Sequence, residues 1–172
     1  MAIIQVICGA PYKPERLLHQ MARNKKLAHI RCKPVQVLYS PCWIFSFSVD
    51  FSLTKKRVRH LGCYGGVDEQ STMPGLVSRI PDYEEMCIND MQLLPDKLKE
   101  EQAKDLAWSY NKRWIARKNR MSHCVPVLTS TKTLKLYKPL YLLEFYNQKL
   151  DQTLYKVYDS LTGDLDNLVI QS

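Results

Sequence analysis

The sequence predicts an α+β fold made of two related units, each a helix packed on a small antiparallel sheet. Three observations carry that expectation. The segment Leu38-Tyr39-Ser40-Pro41-Cys42-Trp43-Ile44-Phe45-Ser46-Phe47 returns 98 residues later as Leu136-Tyr137-Lys138-Pro139-Leu140-Tyr141-Leu142-Leu143-Glu144-Phe145. Such self-similarity marks repeated structural units. From Trp43 to Phe51 apolar side chains fill the odd positions, and Ser46, Ser48 and Asp50 fill the last even ones. That period of two belongs to a strand with one buried face. A chain of 172 residues, 45% hydrophobic and 24% charged, also suits one medium domain or two small ones.

In chain order, the apolar start Met1–Cys8 reads as a first strand, interrupted by Pro11-Tyr12-Lys13-Pro14. Pro14 can open a helix, because proline is tolerated at the first helical position. Leu17, Leu18, Met21 and Ala22 then follow at helical spacing. Residues 30–39 and 43–51 have strand character, and Val58–Tyr64 supplies the next strand before Gly65-Gly66. Glycines, prolines and a Ser/Thr pair break periodicity up to Pro81, and the acidic stretch Asp82–Asp90 reads as a short helix. A long helix is expected over 96–121, with acids early and Lys112, Arg113, Arg117, Lys118 and Arg120 complementing the dipole at its end. Its packing stripe reads as Ala103, Leu106 or Ala107, Tyr110, Trp114, Arg117 and Met121. Strands at about 133–146 and 153–159 close the chain. The expected boundaries are 1–66 for the first unit, 67–94 for a linker with the acidic helix, and 95–172 for the second unit. Pro41 and Pro139 are expected to mark an offset between strand segments, since proline lacks the ladder N–H.

The C-terminal run Leu154-Tyr155-Lys156-Val157-Tyr158-Asp159-Ser160-Leu161-Thr162-Gly163-Asp164-Leu165 resembles the closing hairpin of PepSY-type domains. Asp159, Thr162 and Gly163 match that family's turn, while Tyr158 and Ser160 replace its small or aliphatic neighbours. The resemblance implies a small helix-plus-sheet module that binds or restrains other proteins rather than catalysing. The family is usually exported.

Charge is distributed in blocks. Lys and Arg against Asp and Glu number 11 and 2 over residues 1–66, 3 and 9 over 67–102, and 11 and 6 over 103–172. Basic lobes can steer a polyanion, or be neutralised by the acidic middle segment. No apolar run approaches the roughly 18 to 20 residues of a membrane span, and the apolar start has no basic residue ahead of it. We therefore expect a cytoplasmic protein without membrane insertion. Cysteines at 8, 32, 42, 63, 87 and 124 lack Cys-x-x-Cys spacing and sit mostly in apolar stretches, so they read as reduced core thiols.

Nothing argues for an enzyme, a cofactor or a metal. The four histidines have no metal spacing, and His123 and Cys124 are neighbours that a strand would point to opposite faces. His60 with Cys63 is the least unsuitable thiolate pair. The leading expectation is a non-catalytic binding or regulatory protein with a protein partner, because open sheets offer edge strands for pairing. The alternative is a nucleic-acid-binding protein. It would use Lys55, Lys56, Arg57 and Arg59 on a basic strand and Lys112, Arg113, Arg117, Lys118 and Arg120 on the long helix. Phosphates need cations on one face and bases stack on exposed aromatics.

Overall fold

A computed structural model describes residues 1–54, 57–118 and 126–167 of the chain. Its dominant elements are two long strands, β2 (Ile30–Thr54) and β6 (Val127–Asn147). Around them are β1 (Ala2–Ile7), β3 (Arg57–Asp68), β4 (Met73–Val77), β5 (Tyr83–Ile88), β7 (Gln152–Asp159) and β8 (Leu165–Asn167). The helices among the described residues are α1 (Pro14–Arg23) and α2 (Glu100–Lys118), with 3-10 turns at Lys25–Leu27 and Asp90–Gln92. The strand order is β4-β3-β2-β6-β1-β5, with β7 on β6 and β8 on β7.

This corrects the expected fold class. The protein is a large mixed sheet of eight strands with two helices, not two helices each on a small sheet of its own. The expected repeat of helix-on-sheet units is corrected with it. The reason lies in β2 and β6, which run straight through their Tyr-x-Pro elements instead of stopping there. The stretch Asp82–Asp90 is corrected too: Tyr83–Ile88 is a strand rather than a helix, because β1 offers it a ladder.

Two compact units interleave along the chain. Unit 1 takes Met1–Ser40, Glu84–Leu94 and Lys138–Ser172, and unit 2 takes Pro41–Tyr83 and Pro95–Tyr137. The long strands therefore change unit at Ser40/Pro41 and at Tyr137/Lys138. Each proline stands one residue ahead of the first pair of a hairpin, Cys42↔Asp68 for β2–β3 and Leu140↔Asp159 for β6–β7. At that point a missing N–H breaks no bond of the hairpin ladder.

What recurs is the corner that closes each hairpin. In unit 2 the Asp68 carboxylate accepts from the Gln70 N–H at 3.3 Å and the Ser71 hydroxyl at 2.9 Å. In unit 1 Asp159 accepts from the N–H groups of Leu161 at 2.7 Å and Thr162 at 3.3 Å. Four residues after each aspartate the backbone turns left-handed, at Thr72 (φ 54°) and Gly163 (φ 76°). Aspartate favours such turns because its short carboxylate replaces a backbone acceptor. Gly163 is required twice over, since a Cβ there would lie 2.8 Å from the Tyr12 ring.

The core of unit 2 is the inner face of β2 and β3 under α2. Trp43, Phe45, Phe47 and Val49 are buried at alternate positions, as their period of two requires. Phe45 and Phe47 stack at 5.8 Å, and Trp108 of α2 lies 5.5 Å from Phe47. Helix and sheet approach closely at Gly65, where an added Cβ would overlap the Asn111 amide nitrogen and stand 3.1 Å from Phe47. Gly65→Ala should therefore cost about 1–3 kcal/mol by overpacking. Gly62, with open space around it, should tolerate alanine within about 0.5 kcal/mol. Urea denaturation of both variants checks the pair; equal effects would refute the close approach.

Candidate nucleic-acid interface

α2 forms because Glu100 and Glu101 sit in its first turn and Arg117 and Lys118 in its last, each complementing the helix dipole. Its approach is anchored by Glu69, a fully buried residue of unit 2. One Glu69 carboxylate oxygen accepts the N–H of Lys97 at 2.6 Å and of Leu98 at 3.1 Å. Beside it, Lys135 pairs with Asp96 at 2.6 Å and lies 5.1 Å from the centre of the Trp43 ring. Burial lowers the Lys135 ammonium, but the Asp96 hydrogen bond together with the charges of Tyr137, Asp96 and Glu69 leaves it above its usual range.

The residues that face inward along α2 are Ala103, Ala107, Asn111 and Ile115, spaced by four. The expected stripe holds at Ala103 and Ala107 and fails at Tyr110 and Arg117, Trp114 packs against the core only in part, and Met121 lies outside the described residues. Tyr110 is 37% exposed rather than buried, and Trp114 is half-buried on the flank. Gly65 leaves the gap that lets Asn111 face the sheet, and its amide donates back to the Ala107 carbonyl at 2.9 Å. The helix is thereby rotated so that Tyr110 shares an outward side with the basic residues, while Trp114 keeps one side against the core.

Two hollows flank Trp114. The larger, about 620 Å3, has Leu61 and Cys63 of β3 and Leu76 and Val77 of β4 as apolar walls, with Arg59 and Lys118 as its cations. The smaller, about 210 Å3, lies among Tyr110, Arg113, Trp114 and Arg117. The Lys118 ammonium rests 4.6 Å from the Trp114 ring centre, an attraction between cation and aromatic face. The Arg113 guanidinium is held along the helix by donating to the Ser109 carbonyl at 3.1 Å.

Of the expected basic residues, Arg59, Lys112, Arg113, Arg117 and Lys118 are all exposed. The structure brings Arg59 to Lys118, and Arg113 to Arg117, while Lys112 lines neither hollow. Arg57 opens β3. Lys55, Lys56 and Arg120 lie outside the described residues. The contribution of β4, Leu76 and Val77, with Ser78 just beyond it, was missed because its Pro74-Gly75 reads as a linker signal and its pairing partner β3 is not visible locally.

His60 and Cys63 do not meet. They sit at odd separation on β3, so their side chains take opposite faces. His60 pairs with Asp50 across the ladder, and Cys63 faces the α2 layer, where burial pushes its thiol above the usual range. Burial does the same to Cys32, whereas Cys87 is exposed. Brief alkylation near neutral pH, read by peptide mass mapping, should therefore label Cys87 before Cys32 or Cys63. Preferential labelling of Cys63 would contradict its placement. Among the described residues no cluster of His, Cys, Asp or Glu is arranged to hold a metal ion. Among them, too, no helix is long and apolar enough to cross a membrane.

No protein-family model matches this chain, and no curated protein or solved structure matches it. The arrangement of side chains alone therefore carries the functional argument.

Proposed function

We propose that this is a non-catalytic cytoplasmic binding protein whose working surface is the outward side of α2 with β3 and β4, and whose partner is single-stranded nucleic acid. One observation supports this reading above the others: α2 turns Tyr110 outward, and with Trp114, which keeps one side against the core, it stands among Arg113, Arg117 and Lys118. Bases of any sequence can stack on exposed aromatics, and arginine and lysine neutralise the phosphates between them. Arg59 extends the cationic line across β3. The formal net charge of +8 favours encounter with a polyanion.

Fluorescence anisotropy with a labelled single strand of about 12 nucleotides tests the reading. Affinity should fall with salt, with a log–log slope of about −0.7 per phosphate contact. The double variant Arg113→Ala/Arg117→Ala should flatten that slope by about 1.4, two contacts' worth. Tyr110→Ala should weaken binding by about 1–3 kcal/mol with little change in melting temperature. Equal affinity for duplex and single strand would refute stacking. Absence of salt-sensitive binding would refute the interface.

A protein partner remains the second reading, favoured by β5. This six-residue strand ends the sheet order beside β1 and exposes Tyr83, Glu84 and Glu85. An open edge with outward carboxylates suits addition of a basic extended segment. The likeness of the Asp159–Gly163 turn to PepSY-type domains supports the same reading. Pull-down with and without nuclease separates the two: protein that survives nuclease treatment favours β5, and loss of all capture favours α2.

A further inference from the structure

Unit 1 holds a cavity of about 320 Å3. Leu17 and Met21 of α1, Phe145 of β6, Leu154 of β7 and Leu165 of β8 are among its walls. It exists because α1 is seated shallowly. Within that helix only Pro14 is buried, so the apolar stripe of Leu17, Leu18 and Met21 is only half covered. Leu154, paired with Phe145 across the β6–β7 ladder, is still 56% exposed. Apolar walls of this kind gain dispersion contacts from an apolar ligand laid against them.

Among the described residues, the single charged group lining this cavity is Lys156. It lies opposite Leu143, which is fully buried, and next to Leu154 and Tyr158 on the same face of β7. Lys156 is half-buried, and among the described residues no carboxylate pairs with it. Asn147 is the other polar residue in the lining among the described residues. An ammonium and an amide are enough donors for the two oxygens of a carboxylate, whereas a phosphate would leave more oxygens unserved. Ligand cavities span roughly 300–1,000 Å3, so this one suits a single flexible chain rather than a polycyclic body.

We propose that unit 1 binds a free medium-chain alkanoate, its carboxylate on Lys156 and its chain between α1 and Phe145. The inference is independent of the nucleic-acid reading, because it uses none of the same residues.

Isothermal titration of the intact protein with sodium decanoate, below its micelle concentration, tests this. We expect saturable binding of one molecule, and none of decyltrimethylammonium, which carries the opposite head charge. Lys156→Gln should weaken decanoate at least about tenfold, as loss of a charge-assisted hydrogen bond does. Leu154→Glu, at an exposed site, should weaken it similarly by offering Lys156 a competing carboxylate, and it serves if the first variant fails to fold. Non-saturating heats, equal binding of the cationic amphiphile, or unchanged affinity in a folded variant would overturn the proposal. So would association with anionic vesicles in the absence of any free-decanoate binding, which would mark a membrane contact instead.

Discussion

Phe47→Ala is expected to lower the unfolding free energy by about 3–5 kcal/mol, among the largest losses for a single side chain in this protein. Phe47 is fully buried in unit 2, stacked on Phe45 and tilted against Trp108. Its neighbours Phe45, Val49 and Ala107 are themselves buried, so they have little freedom to collapse into the space left behind. A cavity that cannot close adds to the lost transfer free energy. Trp114→Ala is the contrasting variant. Its ring is half-buried on the flank of α2, and its loss should cost less than about 2 kcal/mol, within the range of ordinary substitutions. Urea denaturation with unchanged m-values reads both. If Trp114→Ala proved the more damaging, the inward face of α2 would have been placed wrongly.

Lys138→Met should cost about 3–5 kcal/mol, the range for removing one partner of a buried ion pair. Lys138 and Asp159 are paired in unit 1 with side-chain exposures of 7% and 14%. Asp159 also closes the β7–β8 corner through Leu161 and Thr162, so it cannot turn away to find water without opening that turn. Removing the ammonium leaves a buried carboxylate facing an apolar side chain. The double variant Lys138→Met/Asp159→Asn should recover part of the loss, because no uncompensated charge remains and amide oxygen can still accept at the corner. Additive costs in the double-mutant cycle would mean that the pair contributes nothing as a pair. A cost for Lys138→Met below about 0.5 kcal/mol would place it among surface sites.

The candidate interface was only half legible. The basic residues of α2 are dense enough in sequence to be picked out, and five of the nine named cations prove exposed. Which aromatics accompany them could not be read. Stripes through Tyr110 and Trp114 or through Asn111 and Ile115 both start from Ala103 and Ala107, and helical spacing permits either. Hydrophobicity favours the aromatics, yet the sheet offers a glycine at Gly65, and the gap admits the slimmer Asn111. The hollow beside Trp114 was invisible for a related reason, since β4 becomes its wall only by pairing with β3.

By itself the sequence determined what depends on near neighbours. The alternation from Phe45 to Val49 dictated which side of β2 is buried there, the acid-first, base-last order of 100–118 dictated α2, and Asp159 with Gly163 dictated the last turn. These follow from side-chain direction, helix electrostatics and backbone sterics, which act over a few residues. Tertiary structure decided that β2 and β6 run on past Pro41 and Pro139 and change unit there. It also decided that Tyr83–Ile88 is a strand and that α2 turns Tyr110 outward. Each of these is settled by a partner distant in sequence: the β1 ladder, the hairpin that begins one residue beyond each proline, and the missing side chain at Gly65. A ladder or a close approach has no local signature, because its stabilisation arises only when two remote segments meet.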